Sequence, residues 1–147
     1  MKILEFQNEY RFLSNFYSAM IYFEDMWYPT VEHAYQAAKT LDFNERNKIR
    51  VMETPGKAKR AGKYLQLRFD WNDVKLSIME DLVREKFINN WELSEKLLNT
   101  KDAELIEGNC WGDTFWGMDL RHNPPIGGNH LGKILMKVRD ELKKTTG

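Results

Sequence analysis

Helix signals follow one another from Thr30 to the C-terminus with little between them, and that succession confines the chain to a helix-rich fold. Thr30 reads as the N-cap of a helix reaching Leu41, and a second spans Asn44 to Met52. Thr54 with Pro55 at the first helical position starts a third, which Gly62 should end or loosen. The longest runs from Asn72 to Asn89, with Leu76, Met79, Val83 and Phe87 on one face widened by Ile78 and Leu82, and is expected to be the central buried element. Leu93 to Leu98 continues as a short helix, and Leu131, Ile134, Leu135, Val138 and Leu142 space out a C-terminal amphipathic one. Only Lys2 to Phe6 and Met20 to Tyr28 carry the aromatic and β-branched bias of strands, with Ser14-Asn15-Phe16 in the loop between, and they are expected to pair in a small hairpin-like sheet. Ala103 to Ile106 reads as extended, and residues 108–128 as loop, punctuated by Gly, Asn, Asp and two prolines. The expected class is α+β, a single helix-rich domain over residues 1–147 with a small antiparallel sheet.

Bulk properties narrow the function. The chain carries 22 basic and 22 acidic side chains, so no global field holds a polyanion and any nucleic-acid contact must be local. Cys110 is the only cysteine, which excludes an internal disulfide and suits a reducing compartment. With no signal peptide and no long apolar span, the expected setting is soluble and cytoplasmic, without a membrane partner. His33, His122 and His130 lack ligand spacing, so no metal is expected, and no cofactor is implied. Aromatic residues make up 13% of the chain, and Trp27, Trp71, Trp111 and Trp116 each lie near a turn or helix start, where a ring can stack on a planar ligand as readily as pack inward.

The stretch from Tyr28 to Lys39 is the richest in chemistry. At roughly 100° per residue, Val31, Ala34, Ala38 and Leu41 form an apolar face, while Glu32, Gln36 and Lys39 share a neighbouring polar strip edged by Tyr35. A helix lining a cleft needs such a strip, although an ordinary solvated face also accounts for it. Glu32 and Lys39 lie roughly 10 Å apart along the axis, too far for the usual intrahelical pair. A second carboxylate, Asp113, sits among Trp111, Gly112, Trp116 and Gly117, either as an acid or base in a desolvated loop or as a turn cap. Gly127-Gly128-Asn129 leads into the last helix, as a seat for phosphate or simply as a turn capped by Asn129. Lys57, Lys59, Arg60 and Lys63 form a basic cluster, of which Arg60 is the candidate phosphate ligand and a solvated face the plainer reading.

In order along the chain these segments resemble the NADAR or YbiA-like family: Ser14-Asn15-Phe16, Tyr28-Pro29-Thr30, Glu32-His33, Gln36-Ala37, Lys39, Arg60 with Gly62, Trp71, Asp113, Trp116-Gly117, Asn129 and Leu131-Gly132. Tyr28 stands where the family commonly has Trp, Gly62-Lys63 where it has Gly-Arg, and the Gly117 to Gly128 loop is unusual in carrying Pro124-Pro125. The resemblance implies an N-glycosidase that hydrolyses a ribosyl C–N bond. Two substrate classes follow from it: ADP-ribose on guanine in nucleic acid, placed first, and ribosylamino-pyrimidine phosphate intermediates of riboflavin synthesis. It maps Glu32, Trp71 and Asp113 onto positions needed for activity and Lys39 onto the family's helix lysine. A carboxylate at Glu32 would stabilise charge developing at C1. Asp113 would divide acid and base work with it, and Lys39 would orient the sugar or form a Schiff base. Trp71 would stack on the base, Asn15 and Asn129 would bond sugar or base edges, and Arg60 would meet phosphate. Phe16, Gln36, Trp116 and Gly117 complete the candidate substrate contacts. The rival class is a non-catalytic module that binds ADP-ribose or a nucleotide, and the oligomeric state is left open.

Overall fold

Strand pairing follows loop length. In the computed structural model, which describes residues 1–146, the strands are β1 (Lys2–Ile3), β2 (Ile21–Phe23), β3 (Met26–Tyr28), β4 (Glu104–Leu105), β5 (Gly108–Asn109) and β6 (Met118–Asp119). The helices are α1 (Val31–Ala38), α2 (Phe43–Arg50), α3 (Pro55–Gly62), α4 (Trp71–Ile88), α5 (Trp91–Leu98) and α6 (His130–Thr146), with a 3-10 helix over Asn8–Leu13. The segment expected as one strand, Met20 to Tyr28, closes on itself: β2 and β3 pair antiparallel, Ile21 opposite Tyr28 and Phe23 opposite Met26. Glu24 and Asp25 turn the chain at φ 44° and 73°, the positive values a two-residue hairpin turn requires. This hairpin is the small antiparallel sheet. The expected pairing with the N-terminal segment does not form, because a two-residue loop closes at far lower entropic cost than the longer one through Asn15. Lys2 and Ile3 instead run parallel to Glu104 and Leu105.

By its contacts the chain divides into two compact units, Asn15–Lys86 and Met1–Ser14 with Phe87–Gly147. In the first, α1 packs against α2, α3, β2 and β3. All of its residues are buried, not just the expected apolar face, while Leu41 beyond its end is exposed. The small side chains of Ala34, Ala37 and Ala38 let neighbouring elements approach closely. The central role expected of α4 therefore falls to α1. In α4, Met79, Leu82, Val83 and Phe87 are buried but Leu76 is exposed, so it is an amphipathic helix.

In the second unit, α6 buries the five apolar residues its spacing predicts. Arg139 on the same helix is buried as well, and its Nη1 donates to Thr100 Oγ1 and to the Ala103 carbonyl, both at 2.9 Å. Strands β5 and β6 pair parallel across the loop expected to be irregular. Among the described residues no helix is long and apolar enough to cross a membrane.

Candidate active site

A helix buried on every side pays for each polar group it carries unless that group finds a partner. Three polar side chains of α1 are buried: Glu32, His33 and Gln36. His33 is satisfied twice, with Nδ1 2.7 Å from Thr30 Oγ1 and Nε2 3.0 Å from the Met52 carbonyl. A carbonyl only accepts, so Nε2 carries the proton and the Thr30 hydroxyl donates to Nδ1, while also capping the helix by accepting from His33 N. Burial pushes the imidazole pKa below its ordinary 6.5, against a smaller opposing effect of the Met52 bond. His33 is thus a neutral tie rather than a proton shuttle.

Glu32 lies in the first turn of α1, where the helix dipole favours an anion. Its backbone N–H donates to the Asn15 carbonyl at 3.1 Å, which fastens the Ser14-Asn15-Phe16 loop to the start of the helix. The Asn15 side chain itself reaches Met79 Sδ at 3.5 Å. One turn on, Gln36 Nε2 donates to Glu32 Oε2 at 2.8 Å. The carboxylate fixes the amide's orientation, and Gln36 Oε1 is left buried with no hydrogen-bond partner. That oxygen rests against Gly62 of α3, where an added Cβ would come within 1.9 Å of it.

Lys39 caps the C-terminus of α1, half-buried, with Nζ 5.7 Å from the centre of the Tyr35 ring. Burial lowers its pKa below the usual 10.5, Lys59, Lys63 and Lys75 push it the same way, and the Glu32 carboxylate opposes them. A desolvated amine among like charges loses its proton more readily than an exposed lysine, and the neutral form is the nucleophile. Trp71 is buried, its ring centre 5.2 Å from that of Tyr35, so the expected stacking ring is largely covered by protein.

Sequence reasoning chose Arg60 from the basic cluster. That side chain is exposed, and the lysines whose charge reaches Lys39 are instead 59, 63 and 75. Lys75 and the contact of Gly62 with Gln36 were missed. A glycine inside a helix costs about 1 kcal/mol relative to alanine, and that penalty was the available hint of a close approach.

Phe16, in the first unit, is half-buried, and the remaining candidates belong to the second unit. Asp113 is half-buried, and its Oδ1 accepts from the backbone N–H groups of Phe115 and Trp116 at 3.1 and 3.0 Å. The buried Asn109, unmarked by the sequence reading, holds the same residue from behind by accepting from Asp113 N and donating to Asp113 O. Asp113 therefore does cap a turn. Trp116 is half-buried and edge-on to Phe115, with ring centres 4.8 Å apart. Gly117 is pressed against the Glu107 carbonyl, which a Cβ would approach to 2.1 Å, so its smallness serves packing. Asn129 spends both ends of its amide internally, accepting from Glu107 N and donating to the Leu105 carbonyl.

The N–H groups of residues 128–131, read as a seat for phosphate, already donate to the carbonyls of residues 114–117. That seat is filled by the chain's own backbone. Likewise, Arg121 grips Asp119 through Nε and Nη2 and holds its carboxyl down at about 2. Among the described residues no group of three or more His, Cys, Asp or Glu could hold a metal.

The NADAR domain model matches residues 4–143, which takes in most of both units. The chain belongs to the NADAR domain family. It is 39% identical over 139 residues to an N-glycosidase of Nostoc punctiforme, covering 91% of this chain and 86% of that one. It is 37% identical over 137 residues to the N-glycosidase YbiA of Escherichia coli, covering 92% and 83%. A riboflavin biosynthesis protein of Vibrio vulnificus is 39% identical over 135 residues, 90% of this chain but 36% of that longer protein. The solved structure of Escherichia coli YbiA superimposes with a TM-score of 0.84 at 33% identity, over 99% of this chain and 86% of the other. These relatives support a hydrolase acting on N-glycosyl bonds.

Proposed function

We propose that this NADAR chain removes ADP-ribose from modified guanine in nucleic acid by hydrolysing the bond between ribose C1 and the base nitrogen. The observation that carries the reading is a carboxylate held rigid on a fully buried helix, with a desolvated lysine at the helix's other end. Opening the ribose ring puts positive charge on the unit formed by C1 and the base nitrogen, and a pre-oriented carboxylate stabilises that charge without reorganising. Glu32 takes this role.

Lys39 acts as a nucleophile. Opening of the sugar ring, with a proton from water going to the ring oxygen, leaves C1 doubly bonded to the base nitrogen as an iminium ion. The neutral Lys39 amine adds to C1, the base departs with a proton as its free amine, and the resulting Schiff base is hydrolysed by water to the sugar aldehyde and the lysine. Asp113 is assigned the proton transfer to the leaving base. Its Oδ1 accepts two backbone bonds, which leaves Oδ2 for that task. Phe16, Arg60 and Trp116, which are half-buried or exposed, are left as the contacts of the bound nucleotide, whereas Asn15, Gln36, Trp71, Gly117 and Asn129 are engaged within the protein and support the site from behind. No metal or cofactor takes part in these steps.

The similarity to a riboflavin biosynthesis protein favours a second substrate, a ribosylamino-pyrimidine phosphate, on which the same groups would do the same chemistry. Offering the purified protein ADP-ribosylated guanine DNA and that phosphate side by side decides between them. Faster release of ADP-ribose by the wild type, abolished in Glu32→Gln, is expected. Turnover of neither compound, or full turnover by a folded Glu32→Gln, refutes the assignment.

A further inference from the structure

A lysine amine sits at the end of a long flexible stem, so one that must meet a single atom of a substrate needs more than a fixed backbone to hold it. The backbone of Lys39 is fixed twice. Its φ of −64° and ψ of −19° continue the helical path of α1, its N–H donates to the Gln36 carbonyl at 3.2 Å, and its own carbonyl accepts from Arg68 N at 2.7 Å. The amine beyond is acted on by Glu32 from α1, by Lys59 of α3, by Lys63 at the C-cap of α3 and by Lys75 from α4. Three of these four charges repel an ammonium, so charge alone would drive it out toward water.

An aromatic face opposes that drift. Tyr35 lies one helical turn earlier, at the spacing that makes neighbours on a helix, and Nζ of Lys39 stands over its ring, 5.7 Å from the centre. A cation within about 6 Å of such a face is attracted by the ring's quadrupole, more strongly where water is excluded. Here Tyr35 is buried and Lys39 half-buried. The ring is itself wedged, because the buried Trp71 at the first position of α4 packs on it with planes tilted by 53°. Trp71 is brought there by the same turn that fastens Lys39. Arg68, whose N–H holds the Lys39 carbonyl, accepts from Trp71 N at 3.2 Å through its own carbonyl. Its guanidinium grips Asp70 at 2.6 and 3.1 Å, and the Asp70 carbonyl accepts from Asp73 N and Val74 N in the first turn of α4. The contacts close a circuit from the Lys39 carbonyl through Arg68, Trp71 and Tyr35 back to the Lys39 amine. All four residues lie in the Asn15–Lys86 unit.

We propose that Tyr35, wedged in place by Trp71, is a positioning residue that holds the Lys39 amine in the site, so that Trp71 acts through the lysine and not as a platform for the base. The inference rests on the assignment of Lys39 as the nucleophile. In the resting protein the ring face holds the ammonium against the three neighbouring lysines. Loss of the proton removes that attraction and frees the nitrogen for C1. Neither ring contacts the substrate in this role.

The test reads the lysine directly, by NMR of the full-length protein carrying lysine labelled with carbon-13 at Cε, and in parallel by kcat and KM on ADP-ribosylated guanosine. The ring current above an aromatic face moves a resonance upfield, so the Cε protons of Lys39, assigned by their absence in Lys39→Arg, are expected upfield of the exposed lysines. They should stay there in Tyr35→Phe, which keeps the ring, and move to the exposed-lysine position in Tyr35→Leu and Trp71→Leu. Giving the side chain back its rotamer freedom should lower kcat roughly 10-fold in both leucine variants while KM stays within about 2-fold of wild type. A wild-type Lys39 signal at the exposed-lysine position overturns the proposal without any variant. An unmoved signal in folded Tyr35→Leu, or a moved signal with wild-type kcat, overturns it as well. A raised KM in Trp71→Leu with the Lys39 signal in place overturns the wedge and returns Trp71 to stacking on the base. If the wild type cleaves no substrate, or Lys39→Arg remains active, the assignment of Lys39 as nucleophile fails while the spectra still decide whether Tyr35 holds the amine.

Discussion

Gly62→Ala tests the geometry that orients Glu32. A Cβ at this position would lie 1.9 Å from Gln36 Oε1, 2.7 Å from Cδ and 3.2 Å from Cβ. The amide end can swing away, but only by giving up the 2.8 Å bond to Glu32 Oε2, because the close Gln36 Cβ leaves the side chain no room to shift as a whole. A hydrogen bond to a charged group is worth about 1.5–3 kcal/mol, and alanine recovers about 1 kcal/mol of helix propensity. Net destabilisation should therefore be small, roughly 0.5–2 kcal/mol by urea denaturation. Turnover should suffer more. If the bond's worth is expressed in holding the carboxylate against C1, kcat falls roughly 10- to 150-fold with KM little changed. A double-mutant cycle isolates the cause: in a Gln36→Ala background, Gly62→Ala should be nearly silent in kcat. Wild-type kcat in a folded Gly62→Ala, or an undiminished effect in the Gln36→Ala background, refutes the positioning argument.

Three further predictions concern Lys39 and His33. Since only the neutral Lys39 amine attacks, kcat/KM should rise with pH along a limb centred below the ordinary lysine value of 10.5, and Lys75→Ala, by removing a like charge, should move that limb upward. Borohydride added during turnover should trap the sugar on Lys39; an untrappable enzyme whose Lys39→Arg variant remains active would return the lysine to orienting the substrate. For His33 the folded pKa lies below 6.5, so below that pH the unfolded chain binds the proton first. Its contribution is complete above 6.5 and is lost as pH falls toward the folded value. The urea midpoint should accordingly drop between about pH 7.5 and about pH 5 more steeply in wild type than in His33→Gln, and parallel curves would sink this account.

Local signals in the sequence determined the helices and their caps, because N-capping and proline preferences act within a turn. Thr30 and Thr54 cap where the sequence reading put them, and Pro55 opens its helix. The apolar spacing of α6 likewise carried over to its buried face. The stripe of Glu32, Gln36 and Lys39 was legible for the same reason, since helical rotation alone places those residues. Only the tertiary structure decided that α1 is enclosed on every side, that Gly62 presses on Gln36, and that the charges of Lys59, Lys63 and Lys75 act on the Lys39 amine. Each of these depends on packing between segments distant in sequence, which no local periodicity encodes. The N–H groups at the start of α6 make the same point: glycine spacing suggested an anion seat, and the carbonyls of residues 114–117 had already filled it.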